Sequence, residues 1–394
     1  MPHLKSIIEF SILCCFFQIS FSQNLPENSL LQKELTAIKS FKEAKEEAEK
    51  IIKFLIEDGQ VPGASITITK DNHTLWQQGY GWANIQQKTP INPSKTLFRV
   101  ASVSKPISAT ALAQLQDKKL MDWKASVYKY LPDFPKKNFD FSIEQLGGHL
   151  SGIRGYRGKE MFSNKPFSIE EGIDMFKNDP LIAIPGSEYN YNTFNWNLIS
   201  LAVQKHLKKP FENIVFEEVL QPLSMYNTLA DRGKITENQS IPYSKNKRSF
   251  TIAPAVNNFY KLAGGGFLST SEDIARLGNA LLDKNFLSEN TKTQMLTSQY
   301  TTDKQKTGYG IGWQTGNDWK GRPYFGHIGN GIGGYAWFYV YPDPQVVIVM
   351  LFNVTNPKIE IYTKRFIDLI LRGIEAENIK ISEDTVKKLK VNQN

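Results

Sequence analysis

"TLFRVASVSKPISATALAQL", Thr96 to Leu115, sets Ser102 and Lys105 at the head of a run of small and apolar residues. On a helix, residues three apart share a face, with Cβ atoms about 5–6 Å apart. The run that follows, "ISATALAQLQ", has the composition of a buried helix, so the lysine at its mouth is short of water. Desolvation lowers a lysine's pKa and frees its amine to take a proton. A serine hydroxyl is a poor nucleophile until such a base stands beside it. The first amides of the helix add partial positive charge for an oxyanion. The bland reading is a serine that caps a helix and a lysine that stays solvated. Spacing alone does not exclude it, because S-x-x-K recurs at Ser126–Lys129 and Ser244–Lys247. The first of those precedes a turn region, and the second lies in the charged stretch "SKNKRS", read as a solvated loop. Only Ser102 leads into a helix able to bury the lysine. Ser104, the rival nucleophile, adjoins Lys105 and points elsewhere.

Outward from this stretch, both chain ends carry strands and one helix each. Leu31 to Glu57 has apolar residues at helical spacing and stops at Gly59. "ASITITK", Ala64 to Lys70, turns at Asp71-Asn72 and returns as "HTLWQQGYGW". Near the other end, "GYAWFYVY" and "VVIVMLFN" flank Pro342 to Gln345 as a hairpin, and "KIEIYTKRFIDLILRGI" closes as a helix. Between them helical patterns and loops dominate, including "STSEDIARLGNALL", capped within Ser269 to Asp273. The economical architecture is α+β. One antiparallel sheet, built from both chain ends (residues 23–100 and 300–394), is flanked by the terminal helices. A mostly helical lobe, 101–299, is inserted, and the site lies between lobes.

With 394 residues, 41% hydrophobic and 22% charged, the chain can bury a large core. Lys5 followed by the apolar run Ile7 to Phe21 reads as a signal peptide over 1–22, cleaved near Ser22-Gln23. A secreted or periplasmic protein is therefore expected. No later run reaches the roughly 20 apolar residues of a membrane helix. Both cysteines, Cys14 and Cys15, fall in the signal, so the mature chain has no disulfide and no cysteine nucleophile. The net charge of +8 is dispersed along the chain, which argues against a nucleic-acid partner. No paired histidines, carboxylate cluster or phosphate-binding glycine loop appears, so neither metal nor cofactor is implied.

The opening stretch resembles the active-site helix of the serine β-lactamase and penicillin-binding-protein superfamily. The resemblance is greater to the class C-like branch, with its D-alanyl-D-alanine carboxypeptidases, D-aminopeptidases and esterases. Further motifs agree in order from Val61 to about Asn353: "VPGASITITKDNHTLWQQGYGWANI", "IEQLGGHLSGIRGY", "LAGGGFLSTSEDIARLGNALL" and "GYGIGW". The resemblance implies a β-lactamase/transpeptidase-like fold and a serine hydrolase working through an acyl-enzyme.

It also implies a proton-shuttling tyrosine in a Y-x-N motif after Pro-Gly. In "IPGSEYNYNTFNWNLIS" the count from Pro185-Gly186 gives Tyr191, with Tyr189 as the other candidate. Thr193 then stands where asparagine is usual and offers one hydroxyl instead of an amide. The family's K-T-G strand has a literal match at Lys306-Thr307-Gly308, but this runs straight into "YGIGW". His327-Ile328-Gly329 is the better candidate, because the glycine-rich turn and hydrophobic hairpin follow it. Gly329 is expected to let a substrate backbone approach the strand closely, and by resemblance the amides of Ser102 and Asn330 form the oxyanion hole. Histidine is charged only part of the time near neutral pH, and Ile328 lacks a hydroxyl. Together with Thr193, these features predict weak handling of penicillins, which carry a carboxylate. His149, in the H-x-S-G-I turn, is read as structural. Arg154 and Arg157 are read as solvated, with binding of a substrate carboxylate at the cleft rim as the alternative. The expected partner is a small-molecule or peptide substrate of cell-wall type, an amide or an ester. The non-enzyme alternative is a penicillin-binding-type receptor without turnover. Specificity is expected in the loops Gly155 to Ile169 and Ala230 to Tyr260.

Overall fold

The computed structural model describes residues 38–247 and 249–377. The signal peptide lies outside the described residues. The architecture is mixed α/β, an antiparallel sheet flanked by helices and joined to a helical lobe.

Helix α1, Phe41–Glu57, starts where the Ser40 side chain accepts from the Glu43 amide. Strands β1 (Gly63–Lys70) and β2 (His73–Asn84) form the first hairpin, with β3 (Thr89–Pro90) at its edge. From the other end come β4 (Gln314–Asn317), β5 (Pro323–Gly331), β6 (Gly334–Tyr341) and β7 (Val346–Phe352). The order across the sheet is β3-β2-β1-β7-β6-β5-β4, so β1 pairs with β7 and joins the two chain ends. The closing helix, Glu360–Glu377, packs with α1 over one face through Ile52, Leu55, Ile66, Trp337, Ile348 and Phe366.

The opposite face carries the helical lobe. Here β1 departs from what its alternation suggests. Ser65 and Thr67 bond the Ser271 hydroxyl at 2.8 Å each, and Thr69 bonds Asn279 at 2.6 Å. The polar side of the strand is therefore buried against the helix Ser271–Leu282 rather than facing water. That helix is capped by Thr270, whose side chain accepts from the Asp273 amide. The "SKNKRS" stretch is not a plain loop: Tyr243–Asn246 and Ser249–Ile252 pair antiparallel as a small ribbon.

Candidate active site

The serine does not sit in the α-helix itself. Ala101–Val103 form one 3-10 turn, and the helix runs from Ser104 to Asp117. The turn runs straight into the helix, and across this junction residues three apart still share a face, which keeps Ser102 and Lys105 together. Ala101 holds φ at +47°, a left-handed backbone that costs a residue with a Cβ about 1–2 kcal/mol. It aims the turn immediately before Ser102. Ser104 is fully buried, and its hydroxyl accepts from the Phe267 amide at 3.1 Å.

Lys105 is fully buried. Its Nζ donates to Ser102 Oγ at 3.2 Å and to the Gly264 carbonyl at 2.7 Å. It also lies 4.8 Å from the centre of the Tyr191 ring. Tyr191 Oη is 2.8 Å from Ser102 Oγ. Serine, lysine and tyrosine thus meet at one oxygen. Tyr189 lies farther back, with its ring 6.1 Å from His149 and 6.0 Å from Tyr309.

The turn that carries Tyr191 is held from below. Asn192 is buried, donates to the Ile153 carbonyl at 2.9 Å, and accepts from the Asn195 amide at 2.9 Å. Asn195 accepts from Ser151 at 2.8 Å. His149 Nδ1 lies 3.4 Å from the Asn192 amide, and its ring packs 4.5 Å from that of Tyr191. Burial above all holds this imidazole well below its ordinary pKa. His149 and Ser151 therefore support the tyrosine turn. Thr193 leads into the helix Phe194–Leu207. A Cβ on Gly264 would fall 2.5 Å from its methyl, so Thr193 packs on the glycine whose carbonyl holds Lys105.

Strand β5 supplies the opposite wall. β4 pairs only as far as Gly326, which leaves the rest of the β5 edge open beyond it. Ile332-Gly333 make a two-residue hairpin loop between Gly331 and Gly334. By antiparallel alternation the Asn330 amide points away from β6, on the same side as the Ile328 amide. The latter donates to Gln314 Oε1 at 3.3 Å. A Cβ on Gly329 would come 2.1 Å from the Val100 carbonyl, and one on Gly331 would come 3.0 Å from Ala101 Cβ. The close approach at Gly329 is thus made by the chain's own backbone, which brings β5 against the serine turn. Ile328 packs on the terminal-helix side of the sheet.

His327 is buried. Its Nδ1 is 2.7 Å from the Ile328 carbonyl and its Nε2 is 2.8 Å from the Tyr309 hydroxyl. The literal K-T-G lies on the loop before β4, with Lys306 exposed. Arg154 is not solvated: it is buried, forms two bonds to Glu160, and reaches Asp179. Arg157 is exposed and lies 3.4 Å from Asp179. Reading the sequence did not single out the roles of Gly264, Asn192, Asn195 or Tyr309. "GYGIGW" had marked Tyr309 only as a landmark.

The beta-lactamase family model matches residues 48–372. The chain belongs to this family. Among curated relatives, the human serine beta-lactamase-like protein LACTB, mitochondrial, is 26% identical over 380 residues, covering 72% of this chain and 69% of that protein. Among solved structures, the D-amino acid amidase from Ochrobactrum anthropi SV3 complexed with D-phenylalanine superposes with a TM-score of 0.72 at 19% identity, covering 85% of this chain and 99% of that one. The octameric penicillin-binding protein homologue from Pyrococcus abyssi gives a TM-score of 0.71 at 21% identity, covering 82% of this chain and 77% of that one. At these identities the structural matches establish the shared fold. Among the described residues no cluster fit to hold a metal ion occurs, and no helix is long and apolar enough to cross a membrane.

Proposed function

We propose that this chain is a serine hydrolase of the class C-like branch that works through an acyl-enzyme. Ser102 Oγ attacks the carbonyl carbon of an amide or ester, and its proton passes to the Tyr191–Lys105 pair. The pair returns that proton to the leaving amine or alcohol as the acyl bond breaks. Water, relieved of a proton by the same pair, then attacks the acyl-serine and frees the acid. The amides of Ser102 and Asn330 hold the oxyanion, which is where a preorganised site gains most. The reading is carried by one observation: Lys105 Nζ and Tyr191 Oη both bond Ser102 Oγ in a site where the lysine has no contact with bulk water.

The likeness to a D-amino acid amidase favours amides of short or D-configured substrates, with esters alongside. Such substrates, including cell-wall peptides, suit a protein exported by the N-terminal signal. A fluorophosphonate probe tests the nucleophile. Labelling of the wild type that vanishes in Ser102→Ala, together with sustained ester turnover, supports the hydrolase. Equal labelling of both proteins removes Ser102 from its role. Acylation that never turns over identifies a receptor instead.

A further inference from the structure

We infer that Tyr309 fixes His327 as a neutral imidazole turned away from substrate, so that the β5 wall accepts acyl donors whose leaving portion carries no carboxylate. The inference rests on the acyl-enzyme reading and narrows its substrate class. The argument starts from hydrogen-bond chemistry. A carbonyl oxygen only accepts, so the contact with Ile328 puts the ring proton of His327 on Nδ1. Nε2 is then an acceptor and receives a hydrogen bond from the Tyr309 hydroxyl. Tyr309 is able to donate because burial raises its pKa well above the ordinary tyrosine value. Both ring nitrogens are committed inside the protein, and the residue is only 1% exposed.

Most of what bears on His327 opposes a positive charge there. The loss of water, and in second place the amine of Lys105 from the serine helix, press its pKa down to about 3. The Ile328 carbonyl offsets this only in part. The Tyr191 ring, 6.0 Å away, and the Tyr309 ring, 5.6 Å away, are uncharged neighbours, and His149 is itself held neutral.

A carboxylate at this wall would need another cation. Besides Lys105, the cations buried among the described residues are already engaged: Arg99 with Asp231 and the Ile332 carbonyl, Arg154 with Glu160 and Asp179, and Lys261 with the Met161 carbonyl. Lys306 of the literal K-T-G is exposed on its loop. The wall itself offers a neutral carboxamide, Gln314, and the side chain of Ile328 lies on the far face. A carboxylate brought here loses its hydration without a partner.

Two measurements test this on the full-length protein. The first is nitrogen-15 NMR of the imidazoles, of which the sequence has 5, with His327→Gln used for assignment. His327 is expected to keep its proton on Nδ1 and not to titrate between about pH 4.5 and 8. Tyr309→Phe should disturb that tautomer. A titration of His327 near pH 6.5 overturns the inference. The second compares a depsipeptide ending in a 2-hydroxy acid with the same compound ending in the carboxamide. The carboxamide should have the higher kcat/KM by at least about 10-fold, at a ratio flat with pH. Equal or better turnover of the acid overturns the inference, as does a ratio that swings toward the acid below pH 6.5. If Ser102 fails to label with the fluorophosphonate, the hydrolase reading falls, and the NMR result still judges the imidazole. If Ser102 labels and the carboxamide neither reacts nor slows labelling, the substrate assignment falls alone.

Discussion

Lys105 and Lys261 are both buried lysines. Each lies within reach of tyrosine rings and each donates to a backbone carbonyl, Gly264 for one and Met161 for the other. What separates them is the next atom. Lys105 also bonds the Ser102 hydroxyl, which in turn meets Tyr191. Lys261 lies over Tyr156 and Tyr260, and the Tyr260 hydroxyl is spent on the Glu160 carbonyl at 2.9 Å. Burial perturbs a lysine, but chemistry requires a second group to give it a proton and a third to relay it. Desolvated lysines are therefore candidates for function only where such neighbours converge.

The sharpest way to break this comparison is to remove the convergence. Ser102→Ala or Lys105→Ala should lower kcat/KM on an ester by at least about 10³-fold. Tyr191→Phe should cost about 10²–10⁴-fold. Steady-state kinetics on proteins matched for thermal stability check this. An active Lys105→Ala would reduce Lys105 to the structural standing of Lys261. Gly329→Ala acts one step away. Its Cβ would overlap the Val100 carbonyl at 2.1 Å, so β5 must move off the serine turn. A stability loss of about 2–4 kcal/mol is expected, with a fall in kcat larger than any rise in KM. Denaturant melts together with kinetics read both.

The same low-dielectric pocket predicts an acid weakness. His149 and His327 are held neutral in the fold, whereas an unfolded histidine titrates near pH 6.5. The unfolded state therefore binds more protons below that pH, and stability falls as pH drops. The loss is about 1.4 kcal/mol per pH unit for each imidazole, and for His327 it continues down to about pH 3. Asp273, which burial raises to about 6, offsets part of this loss below that pH, so the readout is the difference between wild type and His327→Gln in melts between pH 7 and 5, expected to be about 1.4 kcal/mol per pH unit. Identical slopes would mean that His327 already carries charge in the fold.

How much of this was legible in the sequence follows from chain distance. Ser102 and Lys105 are three residues apart, so helical geometry alone brings them together. The terminal strands and helices were legible from period and turn residues. Tyr191 is 89 residues from Ser102, and only a motif counted from Pro185-Gly186 points to it. The Gly264 carbonyl, 159 residues from Lys105, leaves no signal, because a backbone acceptor has no residue identity. Gly329 carries a different lesson. A glycine signals close approach without naming what approaches, and here it is Val100. Arg154 read as solvated because Glu160 and Asp179 close on it only in the folded loop. The alternation of β1 likewise does not tell water from a helix bearing hydroxyls.

The smallest expected effect sharpens the comparison from the other lysine. Burial, opposed in part by Asp231 and reinforced by Arg99, presses Lys261 down to about 8 from its ordinary 10.5. The unfolded lysine thus binds a proton more readily than the folded one. The resulting penalty is fully present below pH 8 and is relieved as pH rises from about 8 toward 10.5. Replacing Lys261 with methionine keeps the apolar stem and removes the charge, at the cost of one bond to Met161. A buried charge exchanged for an apolar group is commonly neutral or stabilising. Lys261→Met should therefore raise stability at pH 7 by about 1–2 kcal/mol and flatten its rise toward alkaline pH. Turnover should change less than about 3-fold, because no reacting atom lies beside this amine. Loss of turnover comparable to that in Lys105→Ala, without loss of stability, would put both lysines in the chemistry and dissolve the distinction.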